Sequence, residues 1–305
     1  MTLELSIILP TRNGADRLRP TIEALLDEIR RAGVAAEIIA LDDLSTDDTP
    51  RILADMAFDN AEIRVEAGPG RGPGAARNAA ARAAHGRLVA FADDDDLWTP
   101  GRLARQLAAH RAHPEAAFSL CDYAHLREDA PGLVLPSAFA YWPLWRRFRG
   151  AEATLVRDAR ALIAAENAVG TSTVMARRDA YLAVGGFDET LPSASDWDLW
   201  LRLAAAGPTL VLGVEGARYA MRAGSVSANR AARLEAMRAI LARHADLPAA
   251  ALRRAKARIA TGLSEAAAEA GDRAGAIRHA LQAMRLRPGR PQARRVLGLV
   301  REIVA

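Results

Sequence analysis

The stretch Phe91-Ala92-Asp93-Asp94-Asp95-Asp96-Leu97-Trp98 decides how the rest of this chain is read. Four consecutive carboxylates repel one another and are costly to hold together unless a cation neutralises them. They follow an apolar, strand-like run, Leu88-Val89-Ala90-Phe91, and precede Thr99-Pro100, which suits an N-cap and a first helical position. Acids at the carboxyl end of a strand, just ahead of a helix, stand where open α/β sheets bind their ligands. The spacing Asp93-x-Asp95 can offer hard oxygen ligands to Mg²⁺ or Mn²⁺, ions that commonly carry a diphosphate. Taken alone, such a run is better read as a solvated acidic turn, or as a charge cluster favoured by a helix dipole. The motifs around it shift that balance.

Upstream, Leu5-Ser6-Ile7-Ile8-Leu9 reads as a buried parallel strand ended by Pro10, with Thr11-Arg12-Asn13-Gly14 as a turn. A helix over about 15–32 carries Leu18, Ile22, Leu25, Leu26 and Ile29 on one face. A second strand over 36–41 runs into Asp42-Asp43-Leu44-Ser45-Thr46, where Ser45 or Thr46 can cap the next helix. Ile63-Arg64-Val65 is a third strand, and the glycine-rich loop 68–74 leads into a helix carrying Arg77 and Asn78. This β-α-β-α-β-α-β alternation predicts an α/β fold with a mostly parallel, right-handed, doubly wound sheet. Pro-Thr-Arg-Asn stands where a dinucleotide fold needs Gly-x-Gly-x-x-Gly, which argues against that domain. No Gly-x-x-x-x-Gly-Lys occurs, which excludes a P-loop.

Downstream, a helix over about 99–112 and a strand near 116–123 are expected, after which residues 125–165 lose clear periodicity. They hold Tyr141-Trp142-Pro143-Leu144-Trp145-Arg146-Arg147-Phe148, either a hydrophobic flap packed on its own domain or an acceptor-binding loop. Ser195-Asp196-Trp197-Asp198 opens a helix, and 209–212 and 217–221 read as two late strands. From about Asn229 the pattern is helical, with breaks at Pro248, Gly271-Asp272 and Pro288-Gly289. The run from Ala274 to Pro288 has the small-residue packing of a helical-hairpin repeat, but one such unit cannot form a solenoid. A small helical domain, packed on the larger one or on a partner, is therefore expected here.

Composition sets the bounds. The 305 residues suffice for one large α/β domain and an appendage, and half of them are hydrophobic, enough for a core. The formal charge of +4 is modest, and Lys256 is the only lysine. Arginine suits bidentate phosphate contacts, but the Ala/Arg-rich composition is better explained by genomic bias, so charge alone does not imply nucleic acid. A single cysteine, Cys121, excludes an intrachain disulfide and a Cys-rich zinc site, and fits a reducing compartment. The first residues lack a basic n-region, and no run approaches the ~18 apolar residues of a spanning helix. The expectation is a soluble, cytoplasmic protein.

Six pieces then line up over residues 3–227. They are Ser6-Ile7-Ile8-Leu9-Pro10-Thr11-Arg12-Asn13, Leu41-Asp42-Asp43-Leu44-Ser45-Thr46-Asp47-Asp48-Thr49 and Gly72-Pro73-Gly74-Ala75-Ala76-Arg77-Asn78. Phe91 to Asp96, Val184-Gly185-Gly186-Phe187-Asp188-Glu189 and Asp196-Trp197-Asp198-Leu199-Trp200-Leu201-Arg202 complete the set. In this order the chain resembles a family-2 glycosyltransferase with the GT-A fold. The resemblance implies a glycosyltransferase domain over 1–227, with a nucleotide-sugar-binding half, 1–98, and an acceptor half, 99–227, followed by a helical domain over 228–305. It implies inverting transfer of a sugar from a nucleotide-sugar, with a UDP-sugar favoured, to a saccharide, lipid-linked or protein acceptor. Peripheral membrane association is compatible with it, and nucleic acid is not a partner.

By the same resemblance Pro10 and Arg12 line the base pocket, Arg12 standing where an aromatic is common. Asp43 accepts from the base N–H, Arg77 reaches the nucleotide and Asp94 the ribose. Asp93 and Asp95 form an Asp-x-Asp site for Mn²⁺ or Mg²⁺, and Asp196 is the general base. Two positions depart from the family pattern. Ser195-Asp196 replaces a usual Glu-Asp pair, and Arg222 stands where a histidine is frequent. Arginine cannot ligate a metal but can neutralise a phosphate, so the aspartates alone do not establish metal dependence. None of the six histidines forms a ligand-spaced cluster. The rival readings are a catalytically inactive nucleotide-sugar-binding homologue and, further off, a nucleotidyltransferase. The sequence specifies neither sugar, acceptor nor oligomeric state.

Overall fold

The computed structural model describes residues 3–127, 134–135, 137–221 and 230–304. Contacts between Cα atoms divide the chain into two compact units. The first comprises Met1–Ala159, Ala168–Glu189 and Leu199–Arg222, and the second Arg160–Asn167, Thr190–Asp198 and Ala223–Ala305.

The first unit is built on β1, Leu5–Thr11, whose Leu5, Ile7, Ile8 and Leu9 have no exposed surface. Burial on both faces explains why this strand reads as a continuous apolar run rather than an alternating one. Contrary to expectation, β1 continues through Pro10. The Ile8 carbonyl accepts from Ala92 N, so the Pro10 nitrogen, two residues on, faces the same side. There the neighbouring strand has already ended, its register stopping at Ile8 against Phe91, and no ladder donor is lost. The alternation proceeds through α1, Leu18–Ala32, β2, Ala36–Asp42, α2, Thr49–Asp59, β3, Ile63–Ala67, α3, Pro73–Ala83, and β4, Leu88–Phe91. The strands pair in parallel in the order β3-β2-β1-β4. Sequence order therefore reverses between β1 and β4, and a crevice opens beyond the carboxyl ends of strands at such a point.

The rest of the sheet is mixed. A short β5, Leu97–Trp98, precedes α4, Arg102–Ala112, β6, Phe118–Arg127, and β7, Val134–Leu135. Thr99 does not cap α4. Its hydroxyl and N–H bond to the Glu215 and Gly216 carbonyls, and the helix starts after Gly101, whose φ is 79°. Within 125–165 lie α5, Ala138–Tyr141, a 3-10 turn at Arg146–Phe148, β8, Thr154–Val156, and α6, Arg160–Ala165. Phe139 and Trp145 are fully buried with ring centroids 5.2 Å apart, whereas Tyr141 is 66% exposed. One side of this segment is thus core, and Tyr141 faces outward.

Then follow β9, Met175–Arg177, α7, Arg178–Ala183, α8, Ser195–Ala206, and β10, Thr209–Met221. The sheet continues from β4 as β9-β6-β10-β5. The two expected late strands are one strand whose register against β6 shifts between Leu212 and Ala217. Gly213 is the cause. It leaves the ladder to exchange hydrogen bonds with Gly150 and Ala151, and any Cβ there would lie 1.6 Å from the Phe148 carbonyl oxygen.

In the second unit α6 and the first turn of α8 join four helices, α9, Arg230–Arg243, α10, Ala249–Glu269, α11, Arg273–Leu286, and α12, Arg290–Val304. Their core holds Ile240, Leu241, Leu247, Ile259 and Leu263, with Ala276, Ala280 and Ala283 from α11. The breaks fall where Pro248, Gly271-Asp272 and Pro288-Gly289 interrupt the pattern, and Asp272 caps α11 by accepting from Gly275 N at 2.8 Å.

Candidate functional site

Three loops meet at the carboxyl end of the parallel strands. The turn after β1 is locked to the loop after β2. Asn13, at φ 51°, donates its N–H to Ser45 Oγ at 2.8 Å and accepts from Thr46 N at 2.8 Å. Ser45 and Thr46 therefore tie two loops together rather than cap α2, which begins at Thr49. Asp43 is buried, and its carboxylate accepts from Gly70 N at 2.6 Å and Gly72 N at 3.0 Å. Two backbone donors fix the glycine loop against the end of β2 and leave two of the roughly four acceptor positions of a carboxylate.

The acidic stretch closes this edge from the β4 side. Arg77 of α3 pairs with Asp93 Oδ1. Asp94 accepts from Thr11 Oγ1 at 2.5 Å and from Arg17 Nε at 3.2 Å, so β1, the start of α1 and the acidic loop share one carboxylate. Asp95 and Asp93 are half-buried, and Asp96 points inward. Burial, reinforced by the Asp93 charge, pushes the Asp96 carboxyl well above the usual range, and the hydrogen bond from Ser172 offsets part of this.

Ser172 is the hub beneath the loop. Its Oγ donates to Asp96 Oδ2 at 2.5 Å and accepts from Asp93 N at 3.1 Å, while its N–H donates to the Tyr219 hydroxyl at 2.8 Å. Its carbonyl accepts from Arg102, a fully buried cation lying 3.8 Å from the Trp98 ring centroid. Burial lowers the Arg102 pKa to about 10. Sequence reasoning passed over Ser172, Arg17 and Arg102, because nothing in Gly-Thr-Ser-Thr or in the register of two helices announces a partner some 70 residues away.

A second hub explains two of the sequence motifs. Asn78 donates to the Phe187 carbonyl at 2.8 Å and Glu189 Oε1 at 2.9 Å, and accepts from Phe187 N at 2.8 Å and the Tyr181 hydroxyl at 2.5 Å. Gly186, at φ 66°, lies so close that a Cβ would stand 2.3 Å from Asn78 Oδ1. Arg-Asn and Gly-Gly-Phe-Asp-Glu are thus one contact, which carries Glu189 to within 3.1 Å of Arg71 in the glycine loop.

The remaining expected residues divide as follows. Pro10 is buried inside β1, and Arg12 is exposed at its end. Arg222 lies outside the described residues. Asp196 belongs to the second unit, in the first turn of α8. There its carboxylate accepts from Trp197 N at 2.8 Å and lies 3.8 Å from the Arg233 guanidinium. Two residues on, buried Asp198 meets His244 Nε2 at 3.3 Å, and His244 Nδ1 meets Arg160 at 2.9 Å. One histidine without a role in the sequence reading thus fastens the helix that carries Asp196.

The donor set bears on a divalent ion. Among the described residues no group of three or more His, Cys, Asp or Glu side chains is placed to hold a metal. Asp93 and Asp95 suit the other mode, in which Mg²⁺ or Mn²⁺ takes one or two carboxylates and completes its shell with substrate phosphates and water. No helix among the described residues is long and apolar enough to cross a membrane.

Comparison with known proteins gives this geometry a setting. The sequence profile described as glycosyl transferase family 2 matches residues 6–149. Succinoglycan biosynthesis protein ExoO of Rhizobium meliloti is 30% identical over 245 residues, 78% of this chain and 66% of that protein. The chondroitin synthase of Escherichia coli is 26% identical over 67% of this chain but only 27% of its own length. The chain thus spans less than two thirds of either relative. Escherichia coli WfaP, named a UDP-Glc:alpha-D-GlcNAc-diphosphoundecaprenol beta-1,3-glucosyltransferase, is 28% identical over 74% of this chain and 80% of that protein. Among solved structures, S. aureus TarS 1-349 in complex with UDP-GlcNAc superposes with a TM-score of 0.65 at 18% identity, covering 92% of this chain and 91% of that one. At that identity the likeness speaks for the fold alone.

Proposed function

The chain belongs to glycosyl transferase family 2, and from that premise we propose that it is an inverting glycosyltransferase that moves a sugar from a UDP-sugar to an acceptor hydroxyl. The observation that carries this reading is the convergence of Asp43, Arg77 and the loop from Asp93 to Asp96 at the carboxyl edge of β2, β1 and β4, across the point where strand order reverses. The activity that names WfaP, transfer from UDP-Glc, supports the choice of donor nucleotide.

In this reading the free acceptor positions of Asp43 face the imide N–H of uracil, and Arg12 covers the base with its planar guanidinium. Asp94, held between Thr11 and Arg17, orients the ribose. Asp93 and Asp95 would hold a divalent ion together with the diphosphate. Bound there, that ion supplies charge neutralisation for the leaving nucleoside diphosphate. Arg77 adds a fixed positive charge at the same place, and a like role is proposed for Arg222.

Asp196 is the proposed general base. The acceptor O–H hydrogen-bonds to its carboxylate, the oxygen attacks the anomeric carbon opposite the departing diphosphate, and the proton passes to Asp196. One bond to the acceptor oxygen forms as the bond to the phosphate oxygen breaks, which inverts the anomeric centre. The acceptor is proposed to be a saccharide on a lipid or polysaccharide carrier, in line with the succinoglycan biosynthesis of ExoO and the diphosphoundecaprenol-linked acceptor of WfaP. Incubation with radiolabelled UDP-sugars, with and without Mn²⁺, tests the reading. UDP released only alongside a glycosylated acceptor supports it, and UDP bound without turnover of any donor favours the inactive homologue.

A further inference from the structure

Charge is unevenly placed along this chain. Of its 41 basic and 37 acidic residues, 16 and 6 fall in residues 228–305, leaving 25 and 31 in residues 1–227. The helical tail is therefore +10 and the rest −6, which closes on the overall +4. A uniform compositional drift toward arginine would raise both parts together. The excess is sharpest in the hairpin of α11 and α12, where residues 273–304 hold eight arginines and one acid, Glu302.

Six of these eight arginines are displayed rather than used, whereas Arg295 pairs with Glu265 at 3.2 Å. Arg273, Arg278, Arg285, Arg287, Arg290 and Arg294 are exposed, and none pairs with a carboxylate among the described residues. Elsewhere in the same unit the pattern differs. Arg230 pairs with Glu265 and Glu269, and Arg254 with buried Glu166. Apolar surface lies between the free cations. Ile277 and Leu281, one turn apart on α11, line a shallow groove of about 760 Å³ with Arg278 and Arg285, and Leu297 on α12 is 58% exposed.

We propose that the α11–α12 hairpin is a docking surface for the anionic headgroups of a lipid bilayer. Helices that lie in a membrane interface combine arginine with a shallow apolar stripe of Leu and Ile, and basic residues near an anionic surface add their attraction. A single-stranded nucleic acid would find no Phe, Tyr or Trp in 273–304 on which to stack a base. A second copy docked through the same face about a two-fold axis would set like charge against like. The inference rests on the charge and exposure of this hairpin and not on the donor site, so the two can fail separately.

The test is co-sedimentation of the full chain with vesicles of phosphatidylcholine alone, or of phosphatidylcholine with phosphatidylglycerol, at low and high salt. Binding should appear only with phosphatidylglycerol and weaken as salt rises. Arg278→Glu with Arg285→Glu, and separately Arg290→Glu with Arg294→Glu, should each lower partitioning roughly tenfold or more. Arg51→Glu, an exposed reversal on α2, should not. Circular dichroism confirms that each variant is folded, and UDP binding should be unchanged in all of them. Equal binding to neutral vesicles, or reversal variants that partition as the unmodified chain does, would overturn the proposal. So would tighter binding to an RNA oligonucleotide than to vesicles at equal phosphate, or a dimer that the reversals dissociate.

Discussion

Thr11 Oγ1, at the last residue of β1, donates a 2.5 Å hydrogen bond to Asp94 Oδ2 in the loop after β4. It spans the point at which strand order reverses, so it fixes the width of the crevice where the nucleotide is proposed to lie. Hydrogen bonds to a charged partner contribute about 1.5–3 kcal/mol. Thr11→Val keeps the side-chain shape, and should weaken UDP binding about tenfold in calorimetric titration. A double-mutant cycle with Asp94→Asn should show strong coupling. Additive effects would mean that the bond does not position Asp94.

Ser172 holds the same loop from below, through the Asp93 amide and the Asp96 carboxyl. Its loss leaves two buried groups short of a partner, at a cost of about 1–3 kcal/mol each at most. Ser172→Ala should therefore lower the melting temperature by several degrees and weaken UDP binding. A destabilised variant with unaltered UDP affinity would show that the hub serves the fold alone.

His110 gives a prediction about pH. Burial lowers its pKa to about 4, against 6.5 for a free imidazole, and its Nε2 lies 3.0 Å from Ser119 Oγ. Between these values the unfolded chain takes up a proton that the folded chain refuses, so stability rises with pH across that window. The contribution is complete above about pH 6.5 and lost as pH falls to about 4. It amounts to about 3 kcal/mol at full extent. Thermal melts of His110→Gln should show a flatter dependence between pH 4 and 6.5 than the unmodified chain. Parallel curves would mean that the imidazole is not held neutral.

Local periodicity carried most of the nucleotide-side architecture, because β1, β2 and β4 are buried on both faces and are mostly apolar, with Ser6 and Glu37 the polar exceptions before Pro10 and Asp42. What escaped it depends on contacts distant in sequence. Pro10 reads as a strand end until the early stop of β4 is known, and β10 reads as two strands until Gly213 is seen bonding to residues 150–151. Asp43, Arg77 and the aspartates could be named from their order along the chain. Arg17 and Ser172 could not, since each acquires its role only through a partner that the fold brings across the sheet edge. The association of 160–167 and 190–198 with the C-terminal helices is likewise unwritten in any local pattern.

Asp43 separates base recognition from loop support. Its carboxylate already accepts from Gly70 and Gly72, so Asp43→Ala would release the glycine loop and weaken any nucleotide. Asp43→Asn is the cleaner probe, because the amide preserves size and one acceptor while losing the charge. UDP should bind more tightly than CDP to the unmodified chain, and Asp43→Asn should erase a preference worth about 1.5–3 kcal/mol. Equal affinity for UDP and CDP before mutation would remove the proposed role.

Asp95 and Asp196 are assigned different jobs, and the difference is measurable. Asp95, half-buried beside Asp93, is proposed to act on the leaving diphosphate through a divalent ion. Asp95→Ala should therefore weaken Mn²⁺-dependent UDP binding as well as turnover. Asp196 is proposed to act on the acceptor proton alone, so Asp196→Asn should leave UDP affinity unchanged while turnover falls ~10²–10⁴-fold. The Arg233 guanidinium lies 3.8 Å from the Asp196 carboxylate and is its cationic neighbour. Arg233→Met, which removes that neighbour but leaves the carboxylate in place, should slow turnover less than Asp196→Asn. Calorimetric titration of UDP into each variant, with and without Mn²⁺, isolates the donor side, and single-turnover rates with a glycosylated acceptor isolate the base. Arg77 already neutralises part of the charge at Asp93, so chelation by EDTA should reduce UDP affinity without abolishing it. Full turnover by Asp196→Asn would assign the base to another residue, whatever the behaviour of Asp95.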